Sequence, residues 1–178
     1  MQGIRSHRVF AAAALAASLC LLAPAAASAA VKVDAGDTHT CGVKTSGKVA
    51  CWGQDASGQA SSPGADFRSV SAGIFHTCGV KASGKIACWG YDGNGQASPP
   101  GADFRSVSAG GAHTCGVKAN DRLACWGDDT YNQASPPSAD FRSVSAGEDH
   151  TCGVKANDKV ACWGYDADGQ TDVPPGLG

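Results

Sequence analysis

The chain has 178 residues, 17% of them charged, and a formal net charge of −2. No basic stripe runs along the sequence, so nucleic-acid binding has no electrostatic support. Nine cysteines are present, and an even number of them, eight, lies beyond residue 30. In an exported chain this count favours disulfides over reduced thiols or zinc ligands.

The first thirty residues have the pattern of a signal peptide. Arg5 and Arg8 make a basic start, an apolar run covers 9–23, and small residues before Ala30 suit a signal peptidase. The apolar run is short for a membrane span, so none is expected. Cleavage is predicted near Ala29 or Ala30, which gives a secreted or periplasmic protein.

Cys20 leaves a lipoprotein as an alternative, although Leu19 stands where a lipoprotein signal needs a small residue. Removal of the leader takes away two of the fourteen basic side chains and none of the sixteen acidic ones. The net charge of the remaining chain is then 12 − 16 = −4. A mildly acidic exported protein is the expected product.

The rest of the chain is a fourfold repeat with a step of 37 residues and no insertion or deletion. The predicted repeats are 31–66, 67–103, 104–140 and 141–178, with no second domain. Each repeat contains His-Thr-Cys-Gly-Val-Lys, a turn and then Ala-Cys-Trp-Gly. The recurring histidines and tryptophans are His39, His76, His113, His150, Trp52, Trp89, Trp126 and Trp163.

Each repeat predicts three short strands and a weaker fourth one. Runs of five to seven residues bounded by Gly, Asn, Asp and Pro indicate strands, and no helical period is sustained. The fourth strand is expected near Gln96-Ala-Ser, where Pro99 and Pro100 suit a sheet edge. The fold class is therefore all-β, with small antiparallel sheets of about four strands arranged as propeller blades or solenoid turns.

Cysteine pairing follows from the central hairpin of each repeat. A three-residue loop at 45–47 sets a register in which Cys41 lies opposite Cys51 on one face. Directly opposed residues have the Cβ separation that a disulfide needs. Buried, reduced cysteines are the alternative, and the nine-residue spacers match no zinc pattern. The predicted disulfides are Cys41–Cys51, Cys78–Cys88, Cys115–Cys125 and Cys152–Cys162.

The repeat resembles the regulator of chromosome condensation repeat family. The likeness covers 31–178 and implies a β-propeller with four-stranded blades. The Cys-Trp-Gly variant is similar to the extracellular propeller of plant crinkly-type receptor kinases. The ending from Gly169 to Pro174 is similar to a secreted bacterial propeller that inhibits β-lactamases. The matching stretches, with counterparts in every repeat, are Val70-Ser-Ala-Gly73, His76-Thr77, Lys85-Ile86, Trp89-Gly90 and Gly95-Gln96.

The resemblance implies a propeller that usually has seven blades, whereas this chain has four repeats. Four blades can form an open arc, a strained ring, or part of a propeller that another chain completes. An open arc exposes strand edges and a blade face, which favours self-association. The exchange-factor activity of the family on a nuclear small GTPase is not expected of an exported protein.

No catalytic residue, cofactor or metal site is predicted. The four histidines recur in identical surroundings without a Ser or Asp partner for a triad, which favours a structural role. The tryptophans are expected to pack between blades. Loops such as 92–95 and 166–169 look like calcium loops, but no bidentate Glu follows at the required distance. Tight turns explain them better.

The positions that differ between repeats fall in two places, before the repeat His and after Trp-Gly. In an up-and-down blade, these two loops emerge on the same side. We expect this side to bind an extracellular protein or glycan, because aromatic and acidic residues are typical of protein-binding surfaces. Unconstrained loop tips, a coat protein joined through blade edges, and an enzyme inhibitor are the alternatives. The predicted binding residues are Ile74, Phe75, Tyr91, Asp128, Tyr131, Glu148, Asp149 and Tyr165.

Overall fold

The computed structural model describes residues 31–178, so the predicted signal peptide and its cleavage site lie outside the described residues. Each repeat forms one antiparallel sheet of three strands that are adjacent in sequence order. The described part contains no helix long and apolar enough to cross a membrane. The strands are β1 (Lys32–Ala35), β2 (His39–Val43), β3 (Val49–Gly53), β4 (Phe67–Ala72), β5 (His76–Lys81), β6 (Ile86–Gly90), β7 (Phe104–Ala109), β8 (His113–Lys118), β9 (Leu123–Gly127), β10 (Phe141–Ala146), β11 (His150–Lys155) and β12 (Val160–Gly164).

The central hairpin has the register that its loop length predicts. Cys41 pairs with Cys51 in the ladder between β2 and β3, and the same pairing recurs in the other sheets. The turn places Gly47 at a φ of +83°, and Asp121 takes that conformation at +66° in the third repeat. A glycine or an aspartate tolerates this left-handed geometry better than a β-branched residue does. The structure contains four disulfides, Cys41–Cys51, Cys78–Cys88, Cys115–Cys125 and Cys152–Cys162.

The Gln-Ala-Ser segment forms turns where the sequence suggested a weak fourth strand. Asp55 accepts hydrogen bonds from the Ala60 amide at 2.8 Å and from the Ser61 hydroxyl at 2.6 Å. The Gln59 side chain is buried and accepts a bond from the Ser57 amide at 2.9 Å. Side chains that bond to nearby backbone in this way compete with strand pairing. Each blade therefore has three strands and a folded loop.

Neighbouring sheets are joined by a buried hydrogen-bond relay. The His76 Nε2 atom lies 2.7 Å from the Thr114 hydroxyl of the next repeat, which itself donates to the Gln96 carbonyl at 2.9 Å. A hydroxyl has one proton to donate, so the imidazole Nε2–H must be the donor to Thr114. The relay recurs from His39 to the second repeat and from His113 to the fourth.

Apolar packing between the sheets follows the same pattern. Cys41 and Val43 of the first sheet pack against Phe67 and Trp89 of the second, and all four are buried. An equivalent cluster joins the second sheet to Phe104 of the third. The cores of this protein thus lie between blades, because a three-stranded sheet cannot bury both faces alone.

The four sheets are arranged around one axis in sequence order. The first strands of all four repeats end at a central depression of about 260 Å³, lined by small residues such as Gly73 and Gly110. The sheets do not close into a ring within residues 31–178. Trp52 of the first sheet is therefore 56% exposed, whereas its counterpart Trp89 is 9% exposed. The architecture is that of a partial propeller.

Candidate binding face

The two variable loops of each repeat lie side by side. In the second repeat, the Tyr91 amide donates to the Phe75 carbonyl at 2.8 Å. The Tyr165 amide donates to the Asp149 carbonyl at 2.9 Å in the fourth repeat. These bonds place the residue after Trp-Gly next to the residue before His, on one side of the array. We call this side the variable face, formed by 36–39, 53–59, 73–76, 90–96, 110–113, 127–133, 147–150 and 164–170.

The aromatic residues of the variable face form two pairs. The rings of Phe75 and Tyr91 lie 6.5 Å apart with a T-shaped geometry within the second repeat. The rings of Tyr131 and Tyr165 lie 4.9 Å apart and join the third repeat to the fourth. Phe75 and Tyr91 are each 48% exposed and Tyr131 is 44% exposed. Half-exposed aromatic pairs offer apolar contact area to a partner. Their side chains lose little conformational entropy when binding fixes them.

A cleft of about 220 Å³ crosses three repeats of the variable face. One wall is apolar and comes from Ile74, Phe75 and Tyr91 of the second repeat. The opposite wall is acidic and comes from Glu148 and Asp149 of the fourth repeat. The cleft thus brings together five of the eight predicted binding residues, and their assignment to binding stays a prediction.

The third repeat supplies the floor of this cleft, and the sequence reasoning did not single out its residues. Gly111 and Ala112 are the smallest of the four residue pairs that precede the repeat histidine. A Cβ atom on Gly111 would lie 2.7 Å from the Glu148 carbonyl oxygen, so only glycine allows this approach between repeats. The sequence carries a signal for this floor: the small pair at 111–112 lies, in repeat order, between the larger pairs at 74–75 and 148–149.

Asp128 has a different role from the other acidic residues of the face. Its carboxylate accepts a hydrogen bond from the Thr130 hydroxyl at 2.8 Å and another from the side-chain Nε2 of Gln133 at 2.6 Å. Both partners belong to the same loop. Asp128 therefore holds the loop that carries Tyr131, and the structure does not bring it into the cleft.

Charge is strongly divided between the two sides of the array. None of the twelve Lys and Arg side chains of residues 31–178 belongs to the variable face. Nine of the sixteen acidic residues do belong to it: Asp37, Asp55, Asp92, Asp128, Asp129, Glu148, Asp149, Asp166 and Asp168. The lysines instead lie in places such as the hairpin turns at the opposite side, where Lys85 pairs with Asp103 at 2.9 Å. The variable face is therefore an acidic surface that attracts basic groups.

The buried histidines below this face are held neutral. Burial lowers the pKa of His76 to about 4, with smaller lowering by His113 and His39. Burial also lowers the pKa of His113 and of His39. Their Nε2 atoms are already committed to the threonines of the next repeat. This commitment accounts for the recurrence of histidine at a fixed position.

The calcium-like loops are closed by their own hydrogen bonds. Asp92 accepts from the Ala97 amide at 2.7 Å and from the Ser98 hydroxyl at 2.7 Å. Hydrogen bonds from the backbone and the side chain of Thr171 lower the pKa of Asp166 in the fourth repeat. Within residues 31–178, no group of three or more His, Cys, Asp or Glu side chains is arranged to hold a metal ion.

A known family of protein repeats matches all four repeats of this chain. The model described as "Regulator of chromosome condensation (RCC1) repeat" matches four times, at residues 30–59, 67–96, 104–133 and 141–170. The chain belongs to this repeat family. The comparison with curated proteins found no match.

Solved structures of RCC1-repeat and related proteins are similar to the four-sheet array. The ectodomain of the Physcomitrella patens receptor kinase CR4 is 35% identical, with a TM-score of 0.67 over 80% of this chain and 42% of that one. The ectodomain of the Arabidopsis thaliana receptor kinase ACR4 is 31% identical, with a TM-score of 0.61 over 75% of this chain and 49% of that one. Saccharomyces cerevisiae Prp20p is 17% identical, with a TM-score of 0.67 over 76% and 45%.

This chain spans less than half the length of each of these structures. The likeness to Prp20p shows the fold alone, whereas the receptor ectodomains share sequence as well. The family model covers the His-Thr and Trp-Gly positions of all four repeats of this chain. The residues of the two cleft walls lie at positions that vary between its own repeats.

Proposed function

We propose that the protein is a non-catalytic, extracellular binding module that engages a partner protein through the variable face. The observation that carries this proposal is the cleft that faces Phe75 and Tyr91 toward Glu148 and Asp149. Each wall comes from a different repeat, and the floor is the small pair at Gly111. Such asymmetry within a nearly identical array is expected where one surface recognises one ligand.

The chemistry of the cleft favours a basic side chain of the partner. A lysine or arginine stem packs against aromatic and aliphatic surface, while its cation is attracted by a ring face and by carboxylates. Arginine is the better fit, because its planar guanidinium stacks on a ring and bonds to a carboxylate at the same time. The absence of Lys and Arg from the variable face leaves the attraction uncompensated within residues 31–178.

The relatives support a binding role outside the cell. Two similar proteins above 30% identity are ectodomains of receptor kinases. The four disulfides of this chain fit the same kind of compartment. Prp20p, which shares the fold, has binding properties toward Gsp1p and histones. Inhibition of a secreted enzyme would be one form of such binding.

The test is a pull-down from extracellular and envelope extracts with the oxidised protein as bait. One control bait carries Phe75→Ser, Tyr91→Ser, Tyr131→Ser and Tyr165→Ser. A partner that is captured by the wild type and lost with this control supports the proposal, and equal capture by both contradicts it.

A second control bait carries Asn120→Ser and Asn157→Ser in the hairpin turns on the opposite side. The second repeat has Ser83 at this place, so the change copies natural variation within the chain. We expect this bait to capture the partner as the wild type does. Capture should also weaken as salt rises from 0.05 to about 0.5 M, because exposed opposite charges are screened over this range.

A further inference from the structure

The two ends of the array carry the two halves of the contact that joins neighbouring repeats. The internal interfaces share polar and apolar groups at the same repeat positions, with Asp34 of the first repeat in the place that Ser71 and Ser108 occupy at the other two. Within residues 31–178, one half of this contact is uncovered on the first sheet, and the other half is uncovered on the last sheet. The two ends are therefore complementary by construction.

The first element of the contact is the histidine-threonine bond. Its Nε2–Oγ1 distances at the three internal interfaces are 2.6, 2.7 and 2.8 Å. His150 of the last repeat and Thr40 of the first repeat occupy the same two positions. Both are half-buried, whereas His76 and Thr77 inside the array are fully buried. His150 thus has the position of a donor, and Thr40 has the position of its acceptor.

The second element is a bond from the first strand of one repeat to the next. The Ser71 hydroxyl accepts from the Ala109 amide at 3.1 Å, and Ser108 accepts from the Ala146 amide at 2.9 Å. The next serine of this series is Ser145 of the last repeat. The amide at the matching position on the first strand of a second copy is that of Ala35. Ser145 and Ala35 are both exposed.

The third element is apolar. Inside the array, a tryptophan and the disulfide face of the preceding sheet bury one another, as Trp89 does with Cys41. At one end Trp52 is 56% exposed beside Val33, which is 65% exposed. At the other end the Cys152 disulfide face is half-buried, whereas Cys41 is fully buried. An exposed tryptophan on one end thus matches a partly open disulfide face on the other.

We propose that a second copy of this chain docks head to tail on these ends, with Trp52, Thr40 and Ala35 of one copy against the His150, Ser145 and disulfide face of the other. A second copy presents the histidine-threonine, serine-amide and tryptophan-disulfide groups at the repeat positions that the internal interfaces use. The buried phenylalanine of those interfaces, Phe67 or Phe104, has Ala30 as its counterpart in the first repeat. A head-to-tail contact closes into a ring when its rotation allows closure. Two copies of residues 31–178 supply eight blades, which is within the range of known propellers and requires about 45° between blades.

The experiment is sedimentation equilibrium on the oxidised protein, expressed from the full sequence with its own leader. The expected mass is twice the chain mass given by mass spectrometry. Trp52→Ser is expected to raise the dissociation constant by at least about thirtyfold at each of the two interfaces, the usual effect of truncating a central tryptophan. Because Trp52 is exposed in the single chain, the variant should keep the native circular dichroism spectrum.

A complementation test separates a head-to-tail contact from any other dimer. Ser145→Arg places a bulky, charged side chain on the exposed β10 strand and so alters the end formed by the fourth sheet. Trp52→Ser alters the other end, which the first sheet forms. Each variant alone should be monomeric. An equimolar mixture should associate more strongly than either variant alone, because one of the two interfaces of the mixed dimer joins two unaltered ends. The other interface is altered on both sides, so this dimer should be weaker than that of the wild type.

Three results would overturn the proposal. One is a wild-type protein that stays monomeric up to the highest soluble concentration. Another is a mixture of the two variants that associates no more strongly than either variant does alone. The third is an open series of larger species, which would contradict a closed ring. The Phe75→Ser and Tyr91→Ser variant should dimerise normally, so failure of this proposal and failure of the binding face are distinguishable.

Discussion

The buried histidine relay makes the protein sensitive to mild acid, and His76 is the residue that shows this most clearly. Its imidazole is fully buried and donates to Thr114 through Nε2. Burial lowers its pKa from 6.5 to about 4. The native state therefore keeps this histidine neutral at a pH at which the unfolded chain already protonates it.

The sign and size of the effect follow from linkage. Above pH 6.5 both states are neutral at this residue, and below about pH 4 both are protonated. Between these values the unfolded state binds more protons, so the free energy of unfolding falls as the pH falls. Each pKa unit is worth 1.36 kcal/mol, which gives a loss of about 3 kcal/mol from His76 between pH 7 and pH 4. His113 and His39 act in the same direction.

The measurement is urea unfolding at half-unit steps from pH 7 to pH 4, followed by tryptophan fluorescence and circular dichroism. The comparison is with His76→Gln, whose amide keeps a donor for Thr114 and does not titrate. We expect the variant to lose about 3 kcal/mol less than the wild type across this range. Equal losses in the two proteins would refute the account of a histidine buried in its neutral form.

Two further perturbations test the blade itself. Replacing Cys78 and Cys88 by alanine should lower the free energy of unfolding by about 2–3 kcal/mol, as expected for a short disulfide loop, and unchanged urea stability would contradict this. Gly90→Ala should destabilise by more than about 2 kcal/mol, because the added Cβ would lie 2.6 Å from the Phe75 carbonyl at a φ of +104°. Gly95→Ala is the matched control, since its φ is +79° with no atom within 4 Å of the Cβ. Thermal unfolding of the two variants compares them directly, and equal losses would exclude the close contact as the cause.

The strand pattern and the cysteine pairing were readable from the sequence because both are set locally. A three-residue loop fixes the register of each hairpin, and the register alone puts Cys41 opposite Cys51. The segment at 55–61 could not be read in the same way. Its aspartate and glutamine bond to their own loop, and these bonds become evident only when the geometry is known.

The candidate site was readable in part. Pairing of the two loops within one repeat follows from up-and-down topology, so Phe75 and Tyr91 were expected on one side. Contacts between repeats depend on the angle between neighbouring blades, and the residue pattern of a repeat does not predict this angle. For this reason the sequence did not predict the contact of Tyr131 with Tyr165 or the cleft floor at Gly111.

The most direct test of the binding account is the affinity of the captured partner, measured by calorimetry for the wild type and for one variant of each side. The account predicts that Phe75→Ser with Tyr91→Ser weakens binding by at least about thirtyfold, the loss expected for a central aromatic anchor. The opposite-side variant, Asn120→Ser with Asn157→Ser, should bind as the wild type does. Unchanged affinity of the aromatic variant, or equal weakening by both, would contradict a binding site on the variable face.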